Sequence, residues 1–128
     1  NSDITVTYTY TANAAGGEPV VLATKDAYSI TGFIRPAGTT SDNDTYRMTD
    51  YINIAGYSQL IVHTDPRTAS VSPAVFFNAS KEYISGYTAE TIEEQDFTIE
   101  IPEGAVYVRS STVNANTSLK NCSIKGIV

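Results

Sequence analysis

The sequence predicts an all-β domain built as an antiparallel β-sandwich, and three observations support this. The chain has 128 residues, the length of a single domain. It is rich in threonine and contains nine tyrosines, with one methionine and no tryptophan, a composition that favours strands. Short apolar and alternating segments are separated by turn residues at intervals of about 8 to 12 residues, which is typical of a β-sandwich. A jelly roll is the topology expected.

The predicted centre of the domain is residues 72–111, which form two hairpin-like units. The first unit has an apolar strand at residues 74–77, a polar turn at 78–81 and a second strand at 83–86. In the second unit, Phe97, Ile99 and Ile101 alternate with polar residues, so we expect these three side chains to face the core.

The second unit continues through a turn. Pro102 and Gly104 fit positions i+1 and i+3 of a type I turn, since proline presets φ and glycine tolerates the exit geometry. After the turn, alternation places Val106 and Val108 on one face of a strand, and Tyr107 and Arg109 on the other.

The remaining elements are predicted from the same signals. Residues 3–10 alternate strictly and indicate a strand, and residues 12–17 indicate a loop. We therefore divide the chain into a strand and connector at 1–23, packed on the domain or on a neighbouring subunit, and a sandwich at 24–128. Further strands are expected at 25–34, 46–54 and 57–64, with loops at 39–45 and 65–72. A last strand within 119–128 offers Leu119, Ile124 and Val128 for burial.

Charge and the length of apolar runs argue against two kinds of partner, nucleic acids and membranes. The net charge is −6, and residues 90–103 carry six acids and no base. Without a basic stripe the chain is a poor candidate for nucleic-acid binding. The acidic segment is interpreted as a solvated loop and strand edge, with a cation site as the alternative. No apolar run approaches the ~20 residues of a membrane helix, so no membrane insertion is expected.

Few residues point to catalysis or metal binding. His63 is the single histidine, and a Ser-His-Asp arrangement would have to combine it with Asp65 or a distant carboxylate. Cys122 is the single cysteine and is expected to be buried. We therefore predict no enzyme and no cofactor. Asp42 and Asp44 are weak calcium candidates, and an Asx-rich turn is the alternative.

Four segments together carry a resemblance to a known family. They are residues 49–54, 59–62, 75–86 and 97–109, within a region of residues 46–111. This ordered set resembles the receptor-binding β-sandwich modules of bacteriophage tail fibres, which are similar to carbohydrate-binding jelly rolls. The resemblance implies a non-enzymatic module on the virion surface that binds a cell-surface glycan.

Sugar-binding surfaces stack aromatic rings on pyranose faces and satisfy the hydroxyl groups with polar side chains. The candidates in the resembling region are Tyr46, Tyr51, Tyr83, Tyr87, Tyr107 and Arg109. The apolar face of residues 3–10 can pack against a neighbour, and fibre modules work as symmetric oligomers, so a homotrimer is expected in the parent protein. The alternatives are a structural capping, decoration or oligomerisation domain without a ligand, and an accessory domain of a polysaccharide-degrading enzyme.

Overall fold

The computed structural model describes residues 18–89, 93–114 and 121–128, and this part of the chain contains thirteen short strands. The predicted strand at 3–10 and loop at 12–17, together with Glu90 and Leu119, lie outside the described residues. The strands are β1 Val20–Ala23, β2 Ile30–Thr31, β3 Phe33–Ile34, β4 Thr40–Ser41, β5 Tyr46–Met48, β6 Ile52–Asn53, β7 Gln59–Thr64, β8 Ala74–Phe77, β9 Tyr83–Tyr87, β10 Gln95–Glu100, β11 Tyr107–Arg109, β12 Ser111–Val113 and β13 Ser123–Ile127.

The strands form two larger and two smaller sheets, in which neighbouring strands pair antiparallel. The larger sheets have the orders β1-β13-β7-β10 and β6-β11-β8-β9, and the smaller ones β12-β5-β2 and β3-β4. The predicted all-β class and the sandwich of antiparallel sheets are confirmed. The jelly-roll topology stays a prediction.

The main core lies between the two larger sheets. Leu60 and Ile99 from the first sheet share one buried cluster with Phe76 and Val108 from the second. Along β10 the buried residues alternate with exposed ones, which confirms the predicted inward face of Phe97 and Ile99. Burying an apolar face of each sheet against the other is what holds a sandwich together.

Strand β8 is buried on both faces. Ala74 and Phe76 point into the main core, whereas Val75 and Phe77 point into a second cluster with Ile34 and Met48. All four residues of β8 are buried. A strand covered on both sides has no polar face, and this explains why the segment is continuously apolar rather than alternating.

The first predicted unit is a true hairpin. β8 pairs with β9, and the connecting turn is held by Asn78 Oδ1, which accepts hydrogen bonds from the backbone N–H groups of Ser80 and Glu82 at 2.9 and 3.0 Å. Lys81 adopts a φ of 64° in this turn. A Cβ placed on Gly86 would lie 1.9 Å from the carbonyl oxygen of Pro36, so β9 needs glycine where the 35–38 turn crosses it.

The prediction that the second unit is a hairpin is wrong. β10 pairs with β7, whereas β11 pairs with β6 and β8, so the intervening turn carries the chain from one sheet to the other. The turn is also shifted by one residue. The N–H of Ala105 donates to the carbonyl of Pro102, which places Gly104 at i+2 with a φ of 85°. A positive φ at i+2 is the feature of a type II turn and requires glycine.

The single strand predicted at 25–34 is divided. A 3₁₀ turn at Lys25–Ala27 comes first, and β2 and β3 follow on either side of Gly32, whose φ of 118° breaks the extended chain. The loop predicted at 39–45 contains the short strand β4, which pairs with β3.

The strand region predicted at 46–54 is likewise split into β5 and β6, which belong to different sheets. Between them Thr49 is fully buried, and its backbone N–H and side-chain Oγ1 bond to the carbonyl and N–H of Ser110 at 2.8 and 3.0 Å. These two bonds hold the chain where it passes from one sheet to the other.

The two ends of the described chain meet in the first sheet. β1 forms its edge beside β13, with Val20 and Val21 exposed by 45% and 56%. Residues 20–23 of the predicted connector therefore pack on the sandwich. Ile124 is buried as predicted, but Val128 is 59% exposed because it follows the last residue of β13.

The described part of the acidic segment, residues 93–103, borders the opposite edge of the same sheet. β10 is its other edge strand, and Asp96 and Glu100 point outward along it. This agrees with the interpretation of a solvated strand edge, because outward charges discourage pairing with another chain.

Candidate ligand-binding surface

One face of the second large sheet carries most of the predicted ligand-binding side chains. In the pairing of β11 with β8, Tyr107 stands opposite Phe77, and Arg109 stands opposite Val75. Paired residues project from the same face, so Tyr107 and Arg109 share a face while Val108 turns into the main core. This confirms the predicted alternation along the strand.

On this face the rings of Tyr51 and Tyr83 pack on the buried ring of Phe77, and the ring of Tyr107 packs on that of Tyr51. Tyr51, in the segment before β6, lies 5.0 Å from Phe77 and 6.0 Å from Tyr107 between ring centroids, with interplanar angles of 77° in both pairs. Tyr83, at the start of β9, lies 6.5 Å from Phe77 at an angle of 74°. These are edge-to-face contacts, the arrangement that the ring quadrupole favours. Tyr51 and Tyr107 remain half-buried, whereas Tyr83 is exposed.

Two cations lie over these rings. The Lys81 Nζ is 5.0 Å from the ring centroid of Tyr51 and 5.6 Å from that of Tyr107, and the Arg109 Cζ is 5.1 Å from that of Tyr51. Each distance is within the range of a cation–π interaction. We call this surface the aromatic–cation patch, and its members are Tyr51, Lys81, Tyr83, Tyr107 and Arg109.

The patch is held by backbone contacts from several parts of the chain. Arg109 Nε donates to the carbonyl of Thr49 at 2.9 Å, and its Nη2 approaches Met48 Sδ at 3.8 Å. The hydroxyl of Tyr83 donates to the carbonyl of Pro36 at 2.8 Å. These contacts fix the positions of a cation and a ring at opposite ends of the patch.

Two of the six predicted residues lie elsewhere. Tyr46 is on β5 and packs edge-to-face on Phe33, with centroids 5.1 Å apart. Tyr87 packs on Phe97 at 5.9 Å and lines the main core. The structure therefore brings together four of the predicted residues and separates Tyr46 and Tyr87 from them.

Lys81 was missed by the sequence analysis, which assigned it only to a polar turn. Its place over Tyr51 and Tyr107 depends on the turn between β8 and β9 and on the pairing of β8 with β11. The only signal in the sequence is Asn78, whose side chain caps the turn that contains Lys81.

A second polar group surrounds His63 on β7. Its Nδ1 is 2.8 Å from Asp96 Oδ1, and its Nε2 is 2.8 Å from Glu94 Oε2. Partial burial alone would lower the pKa of His63, but the hydrogen bonds and charges of the two carboxylates raise it overall. Because the carboxylates contact different ring nitrogens, the three groups do not converge on one metal position.

The predicted calcium candidates and the single cysteine lie in places that a structural role explains. Asn43, between the calcium candidates Asp42 and Asp44, accepts a hydrogen bond from the N–H of Thr45 at 2.9 Å, which is an Asx-turn. Within residues 18–89, 93–114 and 121–128, no group of three or more histidine, cysteine, aspartate or glutamate side chains is placed to hold a metal ion. Cys122 is buried as predicted, and burial raises the pKa of its thiol to about 12.

Comparisons with known proteins gave no significant match to a protein-family model, to a curated protein or to a solved structure. Among the helical segments of the described residues, none has the length and apolar character needed to cross a membrane. The aromatic–cation patch is therefore the feature of the molecule that points to a function.

Proposed function

We propose that this domain is a non-enzymatic recognition module on the surface of a bacteriophage virion, and that the aromatic–cation patch binds a carbohydrate of the host cell surface. The observation that carries the proposal is the meeting of Tyr51, Tyr83, Tyr107 and Arg109 on one sheet face, although they come from separate elements. The phage setting and the virion location rest on the resemblance of residues 46–111 to tail-fibre modules.

The chemistry of the patch suits a sugar. Tyr51 and Tyr107 offer half-buried rings braced by Phe77, and neither hydroxyl forms a hydrogen bond with another described residue. A rigid ring with a free hydroxyl supplies both the apolar contact and the hydrogen bond that a pyranose needs. Lys81 and Arg109 add N–H donors at the same surface.

We further infer a jelly-roll topology, because eight strands of the two larger sheets follow its order. Taken along the chain and lettered B to I, these strands are β1, β6, β7, β8, β9, β10, β11 and β13. The sheet orders then become B-I-D-G and C-H-E-F, which is the order of a jelly roll. This supports the link to carbohydrate-binding modules at the level of fold only.

The alternative function is a structural capping, decoration or oligomerisation domain without its own ligand. The edge strand β1 favours it, because Val20 and Val21 are exposed by 45% and 56% at an edge that has no partner among the described residues. An exposed apolar edge is a natural site for another chain to pair.

A glycan array probed with the domain tests the proposal. We expect binding to a defined set of glycans, and we expect Tyr107→Ala to abolish it by removing a ring from the centre of the patch. Tyr46→Ala is the matched control, since Tyr46 is also half-buried and edge-to-face on a phenylalanine but lies away from the patch. Binding to no glycan, or equal losses in both variants at unchanged melting temperature, would favour the structural alternative.

A further inference from the structure

We propose that the aromatic–cation patch selects an acidic saccharide, whose anionic group is held by Lys81 and Arg109. This inference rests on the proposed function and names the class of ligand that the same surface takes. It follows from the charge of the patch, from its unused donors and from the positions of the cations over the rings.

Each of the two cations has a nitrogen whose N–H groups bond to no described residue. Lys81 Nζ and Arg109 Nη1 form no hydrogen bond with any described residue, whereas Arg109 Nε and Nη2 are engaged by Thr49 and Met48. The guanidinium is thus fixed in place with one terminal nitrogen free. A fixed cationic donor binds an anion with less loss of side-chain entropy than a mobile one.

Neither cation has an internal counterion within the described part of the chain. The ion pairs found there join His63 to Glu94 and Asp96, and Arg67 to Asp65. The two acids nearest in sequence to the patch, Asp50 and Glu82, form no ion pair with either cation. Asp50 Oδ1 accepts from the N–H of Tyr51 at 2.8 Å, and Glu82 Oε1 accepts from Asn78 Nδ2 at 2.9 Å.

The whole chain carries a net charge of −6, so a surface with two cations that form no ion pair with a described residue is unusual in this protein. Both cations lie within about 6 Å of the centroid of the same ring, so an anionic group bound at that ring is attracted by two positive charges. The local charge therefore complements an anion although the whole domain is acidic.

The cations also disfavour a neutral sugar. Lys81 and Arg109 already occupy positions over the ring of Tyr51, and Lys81 is over Tyr107 as well. A neutral pyranose that stacks on a covered face must displace a cation and lose its cation–π interaction. An acidic sugar that displaces a cation recovers the lost interaction by pairing its anionic group with that cation, so its ring can still contact the tyrosine rings and hydroxyls.

Isothermal titration of the 128-residue chain with three probes tests this inference. The probes are oligogalacturonate, which carries carboxylates, dextran sulfate, which carries sulfates, and neutral dextran oligosaccharide. We expect at least one acidic probe to bind about tenfold or more tightly than the neutral one, the effect of one charge-assisted hydrogen bond. Added salt should weaken that binding because it screens exposed charges.

Lys81→Gln should weaken binding of the acidic probe about tenfold by removing one charge-assisted contact. Lys125→Gln is its control, because it removes the same charge from β13 in the other large sheet. Lys81→Arg should retain most of the affinity, since it keeps the charge. Thermal melting of each variant verifies that the fold is intact.

The outcomes separate the two proposals. Tight binding of an acidic probe that Lys81→Gln weakens and Lys125→Gln does not would support the inference. Neutral dextran bound as tightly as the acidic probes, or equal losses from the two lysine variants, would overturn it and leave carbohydrate binding standing. Binding to none of the three probes, with no hit on a broad glycan array, would overturn both.

Discussion

Among single residues, His63 has the most direct link to pH. Its two ring nitrogens contact Asp96 and Glu94, and these carboxylates raise the pKa of the imidazole above its ordinary value of 6.5. The folded protein therefore holds the proton more tightly than the unfolded chain. By linkage, the stabilisation is fully present below the unfolded pKa of about 6.5 and is lost as pH rises through the higher folded pKa.

We expect the free energy of unfolding of the wild type to fall, relative to that of His63→Gln, as pH rises from about 6 to 9. Urea denaturation of both proteins across this range measures the difference. The burial-raised pKa of Cys122, about 12, keeps its thiol protonated throughout. Parallel profiles for the two proteins would show that the carboxylates do not hold the imidazolium.

Residue chemistry alone predicts only some members of the aromatic–cation patch. The chemistry of tyrosine and arginine predicts a sugar-binding surface, and the side chains of Tyr51, Tyr107 and Arg109 do lie together in the structure. Residue type alone does not separate them from Tyr87, because whether a tyrosine lines a core or a surface is decided by strand pairing. Lys81 lies over the rings because of the geometry of the turn between β8 and β9, so its position can be predicted only once the fold is known.

At the scale of elements, the alternation of apolar and polar residues predicts the inward face of a strand wherever only one face is buried. The inward face of β10 could be predicted in this way, whereas the hairpin of β8 and β9 could be predicted from an apolar run followed by a polar turn. Pairing partners could not, because the Pro102–Gly104 turn is compatible with a hairpin and with a crossing between sheets. The short strands around Gly32 were also missed, since two-residue strands contain no period.

Strand β10 offers a matched pair of substitutions. Ile99 is buried in the main core, and Thr98, the preceding residue, is exposed. We expect Ile99→Ala to lower the free energy of unfolding by about 2 to 5 kcal/mol, through lost burial and the cavity left behind. Thr98→Ala should change it by less than about 0.5 kcal/mol. Chemical denaturation measures both, and equal losses would mean that the inward face is wrongly assigned.

For the whole molecule, the prediction concerns assembly. We expect the parent protein to be a trimer, because several weak sugar sites on one rigid support raise avidity without new contacts. The exposed valines of β1 provide an apolar edge for contact between chains. Light scattering coupled to size exclusion, applied to the parent protein and to the 128-residue chain, measures the assembly state. A monomeric parent protein would contradict the fibre-module proposal.

The two-sided burial of β8 connects the aromatic–cation patch to the rest of the molecule. Phe76 supports the main core, and the adjacent Phe77 supports the rings of Tyr51 and Tyr83. Because one short strand belongs to both clusters, we expect the patch to lose its support when the sandwich unfolds. If the patch binds a receptor as proposed, we therefore expect binding to be lost sharply at the unfolding temperature of the domain rather than gradually below it.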